Sequence, residues 1–315
     1  MKQGNLTEQH RKRAIYPELL KNAQAIGIGC GMDYSFSSKD RLISADGTGE
    51  SPAVAFYKAC NNFGCSFAKS EYARIVLFLP EQVKESQIRA YMEEFSKLVQ
   101  HEGIQIVGGD TKVVADLSKP CFVCTLFGHA DNPRHHNRKE VQVGDELVYA
   151  GYPGILGTNR LLSEKREELE AFFSTTFLKK AQFPKEALAI AQVLQIIREE
   201  ELCERCNIRY VHDVSEGGIY KALWQTGEWM HKGFLVESSK IAIRQETVEI
   251  CERFDQNPYM LDGTGSVLFV CERGRLLVKK LLEHGIAVGV IGRVTEGKER
   301  LVRFAGSEIR KLEDF

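Results

Sequence analysis

No stretch of this chain is apolar for the roughly 20 residues that a bilayer-spanning helix needs, so no membrane span is expected. Neither sign of charge is in excess. Lys and Arg number 42 against 43 Asp and Glu, a net of −1, which gives no field to attract nucleic acid or an anionic membrane surface. The polar stretch Met1 to Leu20 lacks the apolar core of a secretory signal. The nine cysteines are an odd count, spread through strand-like and helix-like segments. They do not have the density of a disulfide framework. These absences lead to the expectation of a reduced, cytoplasmic protein. What remains is a globular composition, 43% apolar and 27% charged over 315 residues, enough for two compact lobes with separate cores.

The chemistry is concentrated in two glycine-bearing stretches. In Ile104-Gln-Ile-Val-Gly-Gly-Asp-Thr-Lys-Val-Val114 an apolar β-like run empties into two glycines, an acid, a hydroxyl and a lysine. Gly108 and Gly109 let a ligand approach the backbone, and Asp110 suits a hard cation. Thr111 and Lys112 add a donor and a positive charge for phosphate. About a hundred residues later, Val211-His-Asp-Val-Ser-Glu-Gly-Gly-Ile219 repeats the order of strand, acid, hydroxyl and paired glycines, now leading into a helix. Two such clusters point to one anionic ligand, a nucleotide with its metal.

Hydrophobic periodicity gives mixed α/β lobes, each a sheet with helices on one face. Residues 1–22 read as an arm, whose His10-Arg-Lys-Arg13 is a solvated helix rather than a binding patch. Residues 23–150 form the first lobe. It holds a strand at Ala73–Leu79 and a helix with Ile88, Met92, Phe95 and Val99 on one side, and then the Gly-Gly-Asp-Thr turn. Residues 151–315 form the second lobe. There Pro184 opens a helix turning Leu188, Ala191, Leu194 and Ile197 inward, and Ser266–Cys271 and Ile286–Ile291 are strands.

Asp46, in Leu42-Ile-Ser-Ala-Asp-Gly47, shares the strand-then-glycine setting of Asp110 and Asp213. Three converging carboxylates would hold magnesium with phosphate oxygens, whereas separately each caps a turn. Gly217 and Gly218 either offer free amides to a phosphate or permit close helix–strand packing. Gly27-Ile-Gly29 is a weaker glycine signal, and His212 is either a base or a packed residue. Cys203-Glu-Arg-Cys206 has metal-ligand spacing without a second pair. Cys121 and Cys124 lie in a strand and face opposite ways. His135-His136 reads as a solvated loop.

These motifs resemble the AIR synthase-related superfamily, which includes thiamine monophosphate kinase, selenophosphate synthetase and the hydrogenase maturation proteins of the HypE type. Ile106-Val-Gly-Gly-Asp-Thr-Lys-Val-Val114 is most similar to the HypE branch, and His212-Asp-Val-Ser-Glu-Gly-Gly218 to formylglycinamidine synthase. Ala45-Asp46, Cys60-Asn-Asn-Phe-Gly64, Phe254-Asp-Gln-Asn-Pro-Tyr259 and Gly263-Thr-Gly-Ser266 follow in order, so the resemblance covers residues 24–312. It implies a two-lobed PurM-like fold and a homodimer joined through a β-barrel of N-terminal strands. It also implies ATP with magnesium, and phosphoryl transfer to an oxygen of a small amide or carboxylate-type substrate. On that analogy Asp46 and Asp110 ligate magnesium. Gly27, Gly29, Asn61, Asn62, Gly108, Gly109 and Thr111 bind nucleotide. Lys112 neutralises developing charge, while Asp213 with Gly217-Gly218 closes the site from the second lobe.

Three departures bear on activity. The family's Gly-Asp-Asp-Ala-Ala is here Gly29-Cys-Gly-Met-Asp33, and its Asn-Asp is Asn61-Asn62. Both changes remove anionic metal ligands, and amides coordinate more weakly than carboxylates. No cysteine follows Cys271, so the carbamoyl-cysteine reaction of the HypE branch is not expected in its usual form. The selenophosphate synthetase signature is absent too. The resemblance leaves two alternatives to an enzyme: a non-catalytic nucleotide-binding scaffold, or an accessory that docks a maturation-pathway protein.

Overall fold

The computed structural model describes residues 7–19, 21, 30–37, 41–130, 139–304, 306 and 308–312. Gly27, Gly29 and His135-His136 lie outside the described residues. The chain divides into two compact units. One is built on residues 33–137 with 24–27, the other on 138–315 with 1–23 and 28–32.

The chain opens with α1 (Glu8–Ala14) and α2 (Tyr16–Leu19). The N-terminal unit follows with β1 (Ser35–Ser37), β2 (Leu42–Gly49), α3 (Pro52–Gly64), β3 (Lys69–Pro80), α4 (Glu85–His101), β4 (Gln105–Val114) and β5 (Cys121–His129). Among the described residues its sheet runs β1-β2-β5-β3-β4, with only the β3–β4 pair parallel. Alternation along these strands buries one face. Ile43, Ala45, Ala73, Ile75, Leu77, Leu79, Phe122, Cys124 and Leu126 turn to the helices. α3 starts on Ser51, whose hydroxyl accepts the Val54 N–H at 3.3 Å, with Pro52 in the first turn. It lies against β2 so closely that a Cβ on Gly47 would stand 2.2 Å from the Ala55 carbonyl oxygen. α4 adds Phe95 and Val99, with Ile88 and Met92 half-buried at the edge of the stripe.

Two strands run through where turns were expected. The turn expected at Gly108–Thr111 is the middle of β4, and β2 does not break at Gly47 but runs on to Gly49. In β4 the ladder with β3 continues to Val114 because Gly109 lets the strands close up: a Cβ there would meet the Ile75 carbonyl oxygen at 2.1 Å. In β2 the glycine serves contact with α3 rather than a bend.

The C-terminal unit contains β6 (Glu146–Ala150), α5 (Ile155–Glu164), α6 (Arg166–Glu170), α7 (Thr175–Ala181), α8 (Ala191–Glu199), α9 (Leu202–Arg205) and β7 (Ile208–Val214). It continues with α10 (Gly218–Met230), β8 (Gly233–Glu237), α11 (Gln245–Arg253), β9 (Ser266–Cys271), α12 (Gly274–Glu283), β10 (Val288–Thr295), β11 (Arg300–Arg303) and β12 (Ile309–Lys311). Its described sheet runs β12-β11-β8-β10-β6-β9-β7. Every residue of β6 and β9 is buried, as strands covered on both faces require. α10 packs Ile219, Leu223 and Met230 against Leu147, Tyr149 and Phe234. On the other face Gly274 opens α12 against Val148 and Glu146.

β6 pairs with β9 and β10, so residues 146–150 belong to this second unit, and the change of unit falls near 138 rather than at 150. The N-terminal arm also joins it. Lys12 pairs with Glu228 of α10 at 2.7 Å, and the Tyr210 hydroxyl donates to the Gly31 carbonyl at 2.6 Å. The single helix expected from Pro184 is two pieces, a 3-10 turn at Lys185–Leu188 and α8, with Ala189 extended between them and Ala191 exposed.

Candidate functional site

The face of the N-terminal sheet opposite α3 and α4 carries the acids and cations that the sequence singled out. β2 presents Asp46, and its Oδ1 accepts the Thr125 hydroxyl at 2.6 Å from the neighbouring β5. Asn62, in the last turn of α3, donates its Nδ2 to the Asp46 carbonyl at 2.8 Å, while Asn61 is buried. At the far edge, β4 is exposed from Gln105 to Val113. Register with β3 pairs Gly108 with Arg74, Asp110 with Val76, and Lys112 with Phe78, so these β4 residues share the face of Asp46. Asp110 Oδ1 accepts the Thr111 N–H at 2.8 Å. Thr111 itself alternates to the other face.

A row across the sheet reads Asp46, Thr125, Arg74, Gly108. Neither Thr125 nor Arg74 was singled out by motif. The available signal for Arg74 was its position as the one charge inside the apolar run Ala73–Leu79. Thr125 sits in an ordinary strand pattern, and only pairing with β2 reveals it.

The same register separates the two carboxylates. β5 and β3 lie between β2 and β4, and three strand spacings of about 4.8 Å put Asp46 and Asp110 about 14 Å apart across the sheet. Magnesium binds oxygen at about 2.1 Å, so one chain does not bring both acids to one ion. Each does retain an oxygen without a partner among the described residues, and exposed carboxylate oxygens are the donors magnesium takes. The donor chemistry fits; within one chain the spacing does not.

The glycines of this stretch have roles inside the sheet. Ala73 pairs with Ile106 and Arg74 with Gly108, leaving Val107 as a bulge, and Gly108 follows it at φ 153°, a conformation glycine tolerates.

Asp213 belongs to the other unit, near the end of β7 and buried at 3% exposure. Beyond it Gly217 and Gly218 take φ of 85° and 63° at the start of α10. A Cβ on Gly218 would approach the Tyr259 and Leu261 carbonyl oxygens at 2.4 and 2.6 Å, so close packing accounts for this glycine. The Gly263-Thr-Gly-Ser266 stretch interlocks with the same turn. Gly263 N–H and Gly218 N–H both donate to the Ser215 carbonyl. Asp262 accepts from the Thr264 hydroxyl at 2.6 Å and pairs with Arg160 at 3.0 Å. His212 is buried, hydrogen-bonded to Gln225 at 3.1 Å and set against the Tyr210 ring.

A cleft of about 600 Å³ also opens in the C-terminal unit, bordered by Glu146, Glu237, Lys240, Arg275 and Arg293. None of the motif residues lines it. Glu146 is shared between Arg275 and Arg293, and Glu237 is held by Arg303. No group of three or more metal-binding side chains occurs among the described residues. Burial pushes the Cys203 thiol up to about 12, Glu204 adding to it, which weakens it as a ligand or nucleophile.

Two mixed helix-backed sheets with an acid- and glycine-bearing strand in each are the architecture expected of the AIR synthase-related class, and the comparisons with known proteins agree. The chain belongs to the AIR synthase-related family: residues 142–303 match the family described as AIR synthase related protein, C-terminal domain. It is 22% identical over 271 residues to the carbamoyl dehydratase HypE of Azotobacter vinelandii, spanning 83% of this chain and 75% of that protein. The HypE of a HypE–HypF complex superposes with a TM-score of 0.76 at 16% identity, covering 96% of this chain and 100% of the other. A hydrogenase maturation HypE in complex with ATP gives 0.70 at 17% identity, covering 99% and 92%. At these identities the structural likeness establishes the fold.

Proposed function

We propose that the chain binds ATP with magnesium on the open face of its N-terminal sheet and transfers a phosphoryl group to an oxygen of a small amide or carboxylate-type substrate. The observation that carries this reading is β4, an exposed strand presenting Asp110 and Lys112 on the face that also carries Asp46. Family membership and the ATP complex of a structural neighbour support it. Lys112 would offset charge developing on the transferred group, and the resemblance assigns a catalytic role to Asp213 as well. Gly27, Gly29, Asn61, Asn62, Gly108 and Gly217 remain the proposed nucleotide contacts, whereas Gly109 and Thr111 alternate to the other face of β4 and close packing accounts for Gly218.

A homodimer is part of this proposal. Among the described residues β1 faces only Leu42–Ser44 of β2, so at Asp46 the described part of the sheet ends at β2. A second copy closing the sheets into a barrel would set β4 of one chain beside β2 of the other. Asp110 and the other copy's Asp46 would then meet across that seam, supplying the two carboxylates that one chain holds apart. The test is calorimetric titration of ATP with and without magnesium on wild type and Asp110→Asn. Magnesium-dependent binding lost in the variant supports the reading, and equal binding in both proteins overturns the role of Asp110.

The second reading is a non-catalytic scaffold that binds nucleotide or a maturation-pathway protein. What favours it is the substitution of carboxylate by amide at Asn62, which is engaged with the Asp46 backbone, and the HypE–HypF complex among the structural neighbours. ATP bound but never consumed across candidate amide and carboxylate substrates supports this alternative.

A further inference from the structure

We propose that Arg74 is a polyphosphate-binding residue of the N-terminal sheet; this rests on the reading of that face as the ATP site. Arg74 is exposed and is the one charge in the run Ala73–Leu79 of β3. Pairing puts it between Thr125 of β5 and Gly108 of β4, in the row that begins with Asp46. Its guanidinium lies along Gly108: the Nε stands 4.0 Å from where a Cβ on that glycine would be. That is ordinary van der Waals distance, so the space over Gly108 beside the guanidinium is open.

Arg74 makes no ion pair and no side-chain hydrogen bond among the described residues, although both carboxylates of the face are near in sequence register. Thr125 intervenes on one side, where its hydroxyl is already given to Asp46. On the other side Asp110 sits one pair further along, with one oxygen turned back to its own strand. The flanking open-face residues are Tyr72, Val76, Val123 and Phe127; of these only Tyr72 has an acceptor oxygen, and the other three are apolar. A planar donor fork left open beside a glycine, on a face with apolar neighbours, matches the bidentate geometry of phosphate oxygens.

Lys112 fixes the size of the ligand. It pairs with Phe78, four residues beyond Arg74, so the two cations start about 13 Å apart along the strands. Two long side chains reaching toward each other bridge that distance through a di- or triphosphate, with Asp110 between them. A monophosphate meets only one. The site therefore selects for a polyphosphate chain, with Arg74 at one end and Lys112 at the other.

The experiment titrates ATP and AMP into full-length wild type, Arg74→Gln and Arg74→Lys. Thermal melting alongside confirms that the exposed substitution leaves the fold intact. The expected result is ATP affinity reduced about tenfold to a hundredfold in Arg74→Gln, the range for a lost charged hydrogen bond. Arg74→Lys should recover part of it, and AMP should be little changed. Wild type that binds ATP together with an Arg74→Gln protein that binds it equally well overturns the role of Arg74 and leaves the ATP reading standing. Equal loss of ATP and AMP also overturns it, since the residue would then not be reading the polyphosphate chain that distinguishes the two. Wild type that binds no ATP overturns the proposed function itself, and this role with it.

Discussion

Asp46 shows how one residue is tied to three elements. Its carboxylate takes the Thr125 hydroxyl from β5, its carbonyl takes the Asn62 amide from α3, and its own strand meets β1 only as far as Ser44 among the described residues. Its charge also reaches through the sheet. Burial first, and the Asp46 carboxylate second, push the Cys124 thiol on the helix side up to about 12. At pH 8 that thiol is protonated and enclosed, so iodoacetamide should leave Cys124 unmodified in the native protein and react with it after denaturation. Peptide mapping that finds native Cys124 alkylated as fast as a free thiol would contradict its burial. The acids and cations were legible in the sequence because unusual residue types interrupt apolar runs. Arg74 was equally visible as an interruption, but its meaning came only from the glycine and threonine set beside it by strand pairing.

At the scale of the element, glycine position decides how closely parts approach. Gly47 brings the backbone of α3 onto β2, with Ala55 and Ala59 completing the contact. Gly47→Ala forces the helix outward and should destabilise the protein by about 1–3 kcal/mol, the usual cost of overpacking, seen as a lower urea midpoint. An unchanged midpoint would mean that the interface has slack. The arm is a second element-scale case. Burial pushes the Glu228 carboxyl up, but hydrogen bonds from Lys12 and Arg300 outweigh that and hold it below its ordinary 4.5. A depressed carboxyl stabilises the fold above its unfolded pKa and loses that contribution as pH falls below about 4.5 through the folded value. Limited proteolysis within α1 should therefore quicken between pH 5 and about pH 3, and Glu228→Gln should show the faster cutting already at pH 7. Cleavage that ignores both pH and the substitution would show that the ion pair does not hold the arm. Lys12 is largely exposed, so only a modest effect is expected.

The whole molecule poses the question of assembly. The open face of the N-terminal sheet carries Val76, Phe78, Val123 and Phe127 half-buried, and exposed apolar residues continue along β4 at Ile106, Val107 and Val113. Apolar surface on an edge strand favours pairing with another chain. If the proposed barrel forms, Phe127→Asp should convert a dimer to a monomer by analytical ultracentrifugation and reduce magnesium-dependent ATP binding with it. A wild type that sediments as a monomer at all concentrations would remove the shared carboxylate site from the proposal.

Composition, charge balance and hydrophobic period determined by themselves that this is a two-unit α/β protein, because they act locally and need no partner strand. The resemblance of ordered motifs was likewise written in the chain, and the C-terminal family match bears it out. The tertiary structure decided what period alone does not encode: which strands are neighbours. Strand order set Asp46 and Asp110 at opposite sides of one sheet, made β4 an edge, moved β6 into the second unit, and put Arg74 beside Gly108. A strand's own residues specify its two faces, but its neighbours are chosen by long-range pairing and packing, and chemistry that depends on convergence becomes visible only there.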